Sequence, residues 1–167
     1  MARMIAIILA LLLLFTGCEL SQSNQAALEF YYPVTAAKYT KGASYLQAEM
    51  RDGTSLSEDL IVILNTYLKG PNDDASYQNP FQANTQVLSI QEEGTVLNIT
   101  LSRNFASLRG LELTVACASL SMTCLALTDA DVIRIHANGS SFDGVQYIEM
   151  RLDNLLLYTQ EGAINKP

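Results

Sequence analysis

Cations are scarce in this sequence: 10 lysines and arginines face 17 aspartates and glutamates, giving a formal charge of −7. Nucleic acid is excluded as a partner class on that balance, because binding it relies on neutralising phosphates with Lys and Arg. Histidine is nearly absent too. A single His136 and three cysteines offer no zinc-ligand spacing. Asn72, Asp73, Asp74 and Asn79 carry oxygen ligands but lack the glycine and terminal glutamate of a calcium loop, so no metal or other cofactor is expected. No G-x-S-x-G elbow is present to hold an activated serine against a base, and the chain is not expected to be an enzyme. The longest apolar run, residues 4–15, has 12 residues. Spanning a bilayer takes roughly 20.

That short run follows Arg3 and ends in small residues, the pattern of an export signal. The "TGC" that closes it resembles a bacterial lipobox, with Phe15 where the pattern more often has Leu. The resemblance implies cleavage before Cys18 and a diacylglycerol thioether on its sulfur. Two acyl chains anchor a protein stably to a membrane where one does not. The expected organisation is therefore a signal peptide over 1–17, a polar tether over 18–27, one domain over 28–159 and a tail over 160–167. The mature 150 residues suffice for one core, and the loss of Arg3 takes the charge to −8. The acidic pairs lie between apolar segments, which reads as solubility.

Within the domain, Leu28, Phe30, Tyr32 and Val34 alternate in the period of a strand, with Pro33 suited to its end. A second strand is expected over 45–51. Ser55 and Glu58 form an S-x-x-E capping box, which predicts a helix over 55–69 buried through Leu60, Ile61, Leu64, Tyr67 and Leu68. Gly70-Pro71 stops it. Residues 72–85 read as a loop long enough to carry function. In "QVLSIQEEGTVLNITLS", Leu88, Ile90, Leu97, Ile99 and Leu101 predict one apolar face of a hairpin turning at 92–94. A second helix is expected over 108–124, buried through Leu111, Val115, Ala118 and Met122, with Ala116, Ser119 and Thr123 small enough for close packing. "VIRIHANG" is a strand with Ile133 and Ile135 opposed to Arg134 and His136. The segment "YIEMRLDNLLLY" is compatible with strand, short helix or both. With Cys18 assigned to lipid, Cys117 and Cys124 remain. On one helix they stand about 10.5 Å apart along the axis, beyond the ~7 Å reach of a disulfide, and read as core hydrophobes; a bridge requires the helix to end before Cys124.

This order of elements, with "FYYPV" in the first strand, "LKGP" after the first helix, "NPFQANTQVLSI" leading into the hairpin, "LTVACASLSMT" in the second helix and "VIRIHANG" at the close, resembles the GerMN domain. That family is associated with sporulation, spore germination and other bacterial envelope lipoproteins. Ala137-Asn138 stands where the family more often has a Val-Asp pair. The resemblance spans residues 28–139 and implies an α+β fold like the ring-building motif: a small mixed or antiparallel sheet with two helices packed on one face. It implies no active site. It points to envelope or sporulation proteins as partners and is compatible with a homo-oligomer.

Binding residues are sought among exposed aromatics and on the open sheet face. Tyr31, Tyr39, Tyr45, Tyr77 and Phe81 cluster in the first strand and two loops, where Tyr and Phe often anchor protein contacts. Arg134 and His136 should stand on the face the helices leave open, where a solvated or hydrogen-bonded histidine is the ordinary outcome. Taken together, the sequence points to a non-catalytic lipoprotein domain held outside the cell membrane for assembly or binding. Its alternative is a module for a cell-wall fragment or small molecule, using the open face and the 72–85 loop.

Overall fold

The computed structural model describes residues 27–56 and 59–155. The leader, Cys18, the tether before Ala27, Glu58 of the capping box and the tail over 160–167 lie outside the described residues.

The first two strands form a ribbon of their own. Strand β1 (Ala27–Pro33) pairs antiparallel with β2 (Leu46–Asp52), placing Phe30 opposite Glu49 and Leu28 opposite Arg51. Phe30 and Tyr32 are fully buried, as the alternation predicts, and Pro33 sits at the strand end. Helix α1 (Leu60–Tyr67) starts five residues later than the Ser55/Glu58 box predicts. Asp59 caps it instead, accepting a hydrogen bond from the Ile61 N–H at 2.8 Å, while residues 53–55 make a separate 3-10 turn capped by Asp52. The Gly70 stop is as expected, with φ +110°. A Cβ there would lie 2.8 Å from Asn79 Nδ2, so both backbone and space call for glycine.

A second, four-stranded sheet has the order β3-β4-β5-β6, so the sequence expectation of one small sheet resolves into two. β3 (Val87–Glu93) and β4 (Val96–Leu101) make the hairpin, turning through Gly94 at φ +63°. Its apolar face differs from expectation at one residue. The register shifts between Val87 and Ser89, so Val87 is buried opposite Leu101 and Leu88 is exposed. One extra residue in a strand reverses the alternation beyond it. Helix α2 (Gly110–Leu127) then carries the chain across to β5 (Val132–Ala137), which lies parallel to β4. β6 (Tyr147–Met150) closes the sheet antiparallel to β5, and a 3-10 turn over 152–154 follows it, so the ambiguous segment is strand first and short helix second.

α2 is enclosed between ribbon and sheet, with every residue from Val115 to Cys124 buried. Its small residues let the free edge of β1 come close: the Tyr31 N–H donates to Thr123 Oγ1 at 2.9 Å instead of to another strand. Leu111, expected on the buried stripe, is 71% exposed because the first helical turn projects past the layers that cover the rest. Cys117 and Cys124 are free, buried thiols. Both helices and the inner faces of both sheets share one apolar core containing Phe30, Leu64, Tyr67, Leu97, Ile99, Leu120 and Ile135.

The strand and helix directions give the domain two distinct ends. β1 begins at the end that also holds the start of α1, the β3–β4 turn and the turn after α2; Leu28, Leu60, Glu92, Leu127 and Asp129 line one depression there. Pro33, the 72–85 loop and the start of α2 meet at the other end.

Candidate functional site

The 72–85 loop is held in place by a pair of charges that the sequence reading left unassigned. Glu49 and Arg51 lie two apart on β2 and both turn inward, whereas Met50 between them is 56% exposed. The carboxylate accepts from Arg51 Nη2 at 2.6 Å and Nε at 2.7 Å, and the two side chains are 9% and 8% exposed. Its second oxygen accepts the N–H groups of Asn72 and Asp73, both at 2.9 Å. The guanidinium donates to the Gly70 carbonyl at 2.7 Å and lies 4.8 Å from the centre of the Phe30 ring. Each charge thus meets its opposite and several hydrogen bonds, the condition under which a buried ion pair is tolerated. The signal in sequence was the clash between strand alternation and charge in "LQAEMRD".

Further along, Ser76 and Gln78 bond to the backbone of Thr35 and Pro33, so the loop begins as an extra rung on the ribbon. Tyr77 and Phe81 belong to the core, at 8% and 6% exposure, not to an exposed aromatic surface. Tyr77 donates its hydroxyl to the Ala48 carbonyl at 2.8 Å. Phe81 packs edge-on against Tyr67, which also stacks with Phe30 and Tyr32. The Tyr32 and Tyr67 hydroxyls bond to backbone carbonyls of Tyr67 and Tyr31, and burial pushes both phenols well above their ordinary range. These hydroxyls tie ribbon to helix.

Between this loop and the first turns of α2 opens a groove of about 480 Å³. Tyr45, Phe81, Leu108, Leu111 and Val115 supply apolar wall, while Gln78 and Glu112 stand exposed at its margin. Gln82 and Asn79, also on the groove, are fixed by hydrogen bonds with the Ser107 hydroxyl and the Phe81 N–H. Tyr45 and Phe81 are the two sequence-nominated residues that meet here. Tyr31 is half-buried elsewhere on the ribbon and donates its hydroxyl to Glu29 at 2.8 Å; Tyr39 is exposed on the loop after β1.

Arg134 and His136 occupy a separate surface, the face of the four-stranded sheet turned away from the helices. The register sets them beside Asn98 and Thr100 on β4 and opposite Glu149 and Tyr147 on β6. Arg134 bonds to Glu149 at 2.9 Å, and that bond holds the Glu149 carboxyl below its ordinary range. The imidazole of His136 stacks 5.3 Å from Tyr147. Among the described residues His136 has no hydrogen bond to a serine or aspartate, and no cluster of His, Cys, Asp or Glu is placed to hold a metal. What the geometry offers is surface for contact: an amphipathic groove at one end and a polar, half-exposed sheet face.

A profile described as sporulation and spore germination, Germane, matches residues 29–143, and the chain belongs to that family. None of the curated proteins matches it in sequence. Among solved structures it is similar to the tandem GerMN domains of the sporulation protein GerM from Bacillus subtilis, at 14% identity and TM-score 0.55, over 82% of this chain and 49% of that one. It thus spans about half of that protein, and at this identity the likeness concerns the fold. A candidate lipoprotein from Clostridium perfringens is more distant in shape, with 16% identity and TM-score 0.43 over 76% of this chain and 87% of that one.

Proposed function

We propose that this chain is a lipid-tethered, extracytoplasmic binding domain of the bacterial envelope that serves assembly during sporulation or spore germination without catalysing a reaction. Family membership supports the process, and the "TGC" pattern at Cys18 supports the tether. The observation that carries the binding role is the placement of the groove: β1 enters at one end of the domain, and the groove lies at the other, on a loop anchored by Glu49 and Arg51. A tethered end and a free recognition end are what an adaptor on a membrane requires. The second reading, a module for a cell-wall fragment, draws on the same groove, whose amides and aromatic wall suit a polar ligand with apolar faces.

The test is fractionation of cells making wild type and Cys18→Ser, with mass spectrometry of the mature N-terminus and cross-linking in the same membranes. Diacylated Cys18, loss of the variant from the membrane and a cross-linked envelope protein support the proposal. An unlipidated soluble wild type overturns the tether. A tethered protein whose cross-links report only glycan or peptide from the wall favours the second reading.

A further inference from the structure

The arginines among the described residues fall into two groups. Arg51, Arg134 and Arg151 each lie within 3.3 Å of a glutamate, Glu49 or Glu149. Arg103 meets no carboxylate among the described residues, and Arg109 meets only Asp143, at 3.6 Å between side chains that are 56% and 79% exposed. Both arginines of the second group line one hollow of about 460 Å³, together with Ser107, Gly139, Ser140 and Ser141. In a chain of net charge −7, the two guanidiniums that no glutamate neutralises share a concave surface. Its walls are fixed. Arg103 begins a 3-10 turn (Arg103–Ser107) whose Phe105 is fully buried and meets Phe142 edge-on at 6.0 Å. That contact locks the turn against the loop after β5, which the Asn138 N–H also ties to the Leu101 carbonyl at 2.8 Å. Arg109 donates Nη1 to the carbonyls of Ala106 and Leu108, so its guanidinium is held by one nitrogen while Nη2 has no partner among the described residues. The Ser107 hydroxyl is taken up by Gln82 and Asn104, but those of Ser140 and Ser141 are not engaged by any described group. Gly139, at φ +64°, has open space where a Cβ would stand, so a ligand can approach the backbone there.

We propose that this hollow binds a phosphate ester. A carboxylate offers two oxygens, and a single arginine neutralises it, as Arg51 does Glu49. Two guanidiniums with two free hydroxyls exceed that demand and match a phosphate, which brings more acceptor oxygens and more charge. Arg109 is also the N-cap residue of α2 and accepts no bond from it, so the positive end of a long helix adds to the field, while Glu112 of the first turn lines the groove instead. The site is independent of the Cys18 tether and distinct from the groove. Leu108 lines the groove, and its neighbours Ser107 and Arg109 line the hollow.

The test is titration of the chain from residue 18 onward, carrying Cys18→Ser, with inorganic phosphate, glycerol 3-phosphate and acetate at constant ionic strength. NMR of the arginine Nε–H groups and of the amides of residues 139–141 follows the binding. Both phosphates should bind saturably, and acetate about tenfold more weakly or worse. Arg103→Gln removes an exposed side chain with no hydrogen bond or ion pair among the described residues, so the fold should survive while phosphate affinity falls about tenfold or more. Asp143→Asn removes a like charge beside Arg109 and should tighten phosphate binding. Leu111→Ala, on the groove, should leave it unchanged, so failure of the groove reading and failure of this site are read separately. Phosphatidylglycerol vesicles added as competitor tell the source: displacement of glycerol 3-phosphate assigns the site to a lipid headgroup, and no displacement assigns it to a soluble ester. Phosphate that binds no better than acetate, or no worse after Arg103→Gln, overturns the site.

Discussion

Asn72 offers its backbone N–H to Glu49 across the ribbon at 2.9 Å, so the residue that follows the α1 stop is fastened to a strand 23 positions earlier. Removing one partner of the Glu49–Arg51 pair leaves a buried charge uncompensated. Arg51→Ala should cost about 3–5 kcal/mol in urea unfolding, and Arg51→Met with Glu49→Gln in the same chain should recover part of it. The loop carrying the groove should also lose hydrogen-exchange protection in Arg51→Ala more than β4 and β5 do.

Gly70 should not accept a side chain. Gly70→Ala meets both a positive φ and Asn79 Nδ2 at 2.8 Å, and should destabilise by about 1–3 kcal/mol. Asn79→Gly in the same chain removes every contacting side-chain atom but leaves the backbone cost and gives up the hydrogen bond to the Phe81 N–H, so the double variant should not return to wild-type stability.

Two leucines on α2 should separate sharply. Leu120 has no exposure and Leu120→Ala should cost about 2–5 kcal/mol, while Leu111→Ala should stay within about 0.5 kcal/mol. Leu111→Ala should instead weaken whatever the groove binds, as read by cross-linking yield.

Acid should weaken the sheet edge through Glu149. Its folded carboxyl titrates below the ordinary glutamate range because Arg134 donates to it, so its contribution is complete above the unfolded value and is lost as pH falls through the folded one. Urea midpoints of wild type and Glu149→Gln should differ at pH 7 and converge on acidification. A constant difference would remove the Arg134 bond from the account.

The two core thiols should be silent in the native state. Burial raises Cys117 to about 12 and Cys124 further, so little thiolate exists at neutral pH. A thiol reagent should modify them only as fast as the protein opens, and completely in denaturant.

The element order was legible because periodicity and punctuation agree over most of the chain: Phe30 and Tyr32, Gly70-Pro71 and Ile133/Ile135 all fall where the pattern puts them. Local pattern misled where a neighbour overruled it. The helix starts at Leu60 and not at Ser55, because Asp59 offers a cap directly ahead of Leu60. Leu88 lost its place to Val87 through a bulge, and Val87 is held on both sides by the Asn65 amide, a partner 22 residues away. The candidate surfaces were harder to read. Tyr77 and Phe81 look like recognition aromatics in a polar loop, yet Glu49 and Arg51 draw that loop onto the ribbon and bury them. No short-range feature distinguishes a tyrosine on a free loop from one on a loop tied down by an ion pair elsewhere.

The enclosure of α2 has a counterpart in the life of the chain before it folds. Its eighteen residues have a mean hydropathy of 1.6 and a single charge, Glu112, which by length and composition alone would let a membrane accept them. An exported chain must thread that segment through a translocation channel without its slipping sideways into lipid. Ser119 and Ser121, whose buried hydroxyls find no partner among the described residues, make the segment less apolar than alanines would. On the proposed export route, the ribbon and the sheet close over this helix only after it has passed that channel.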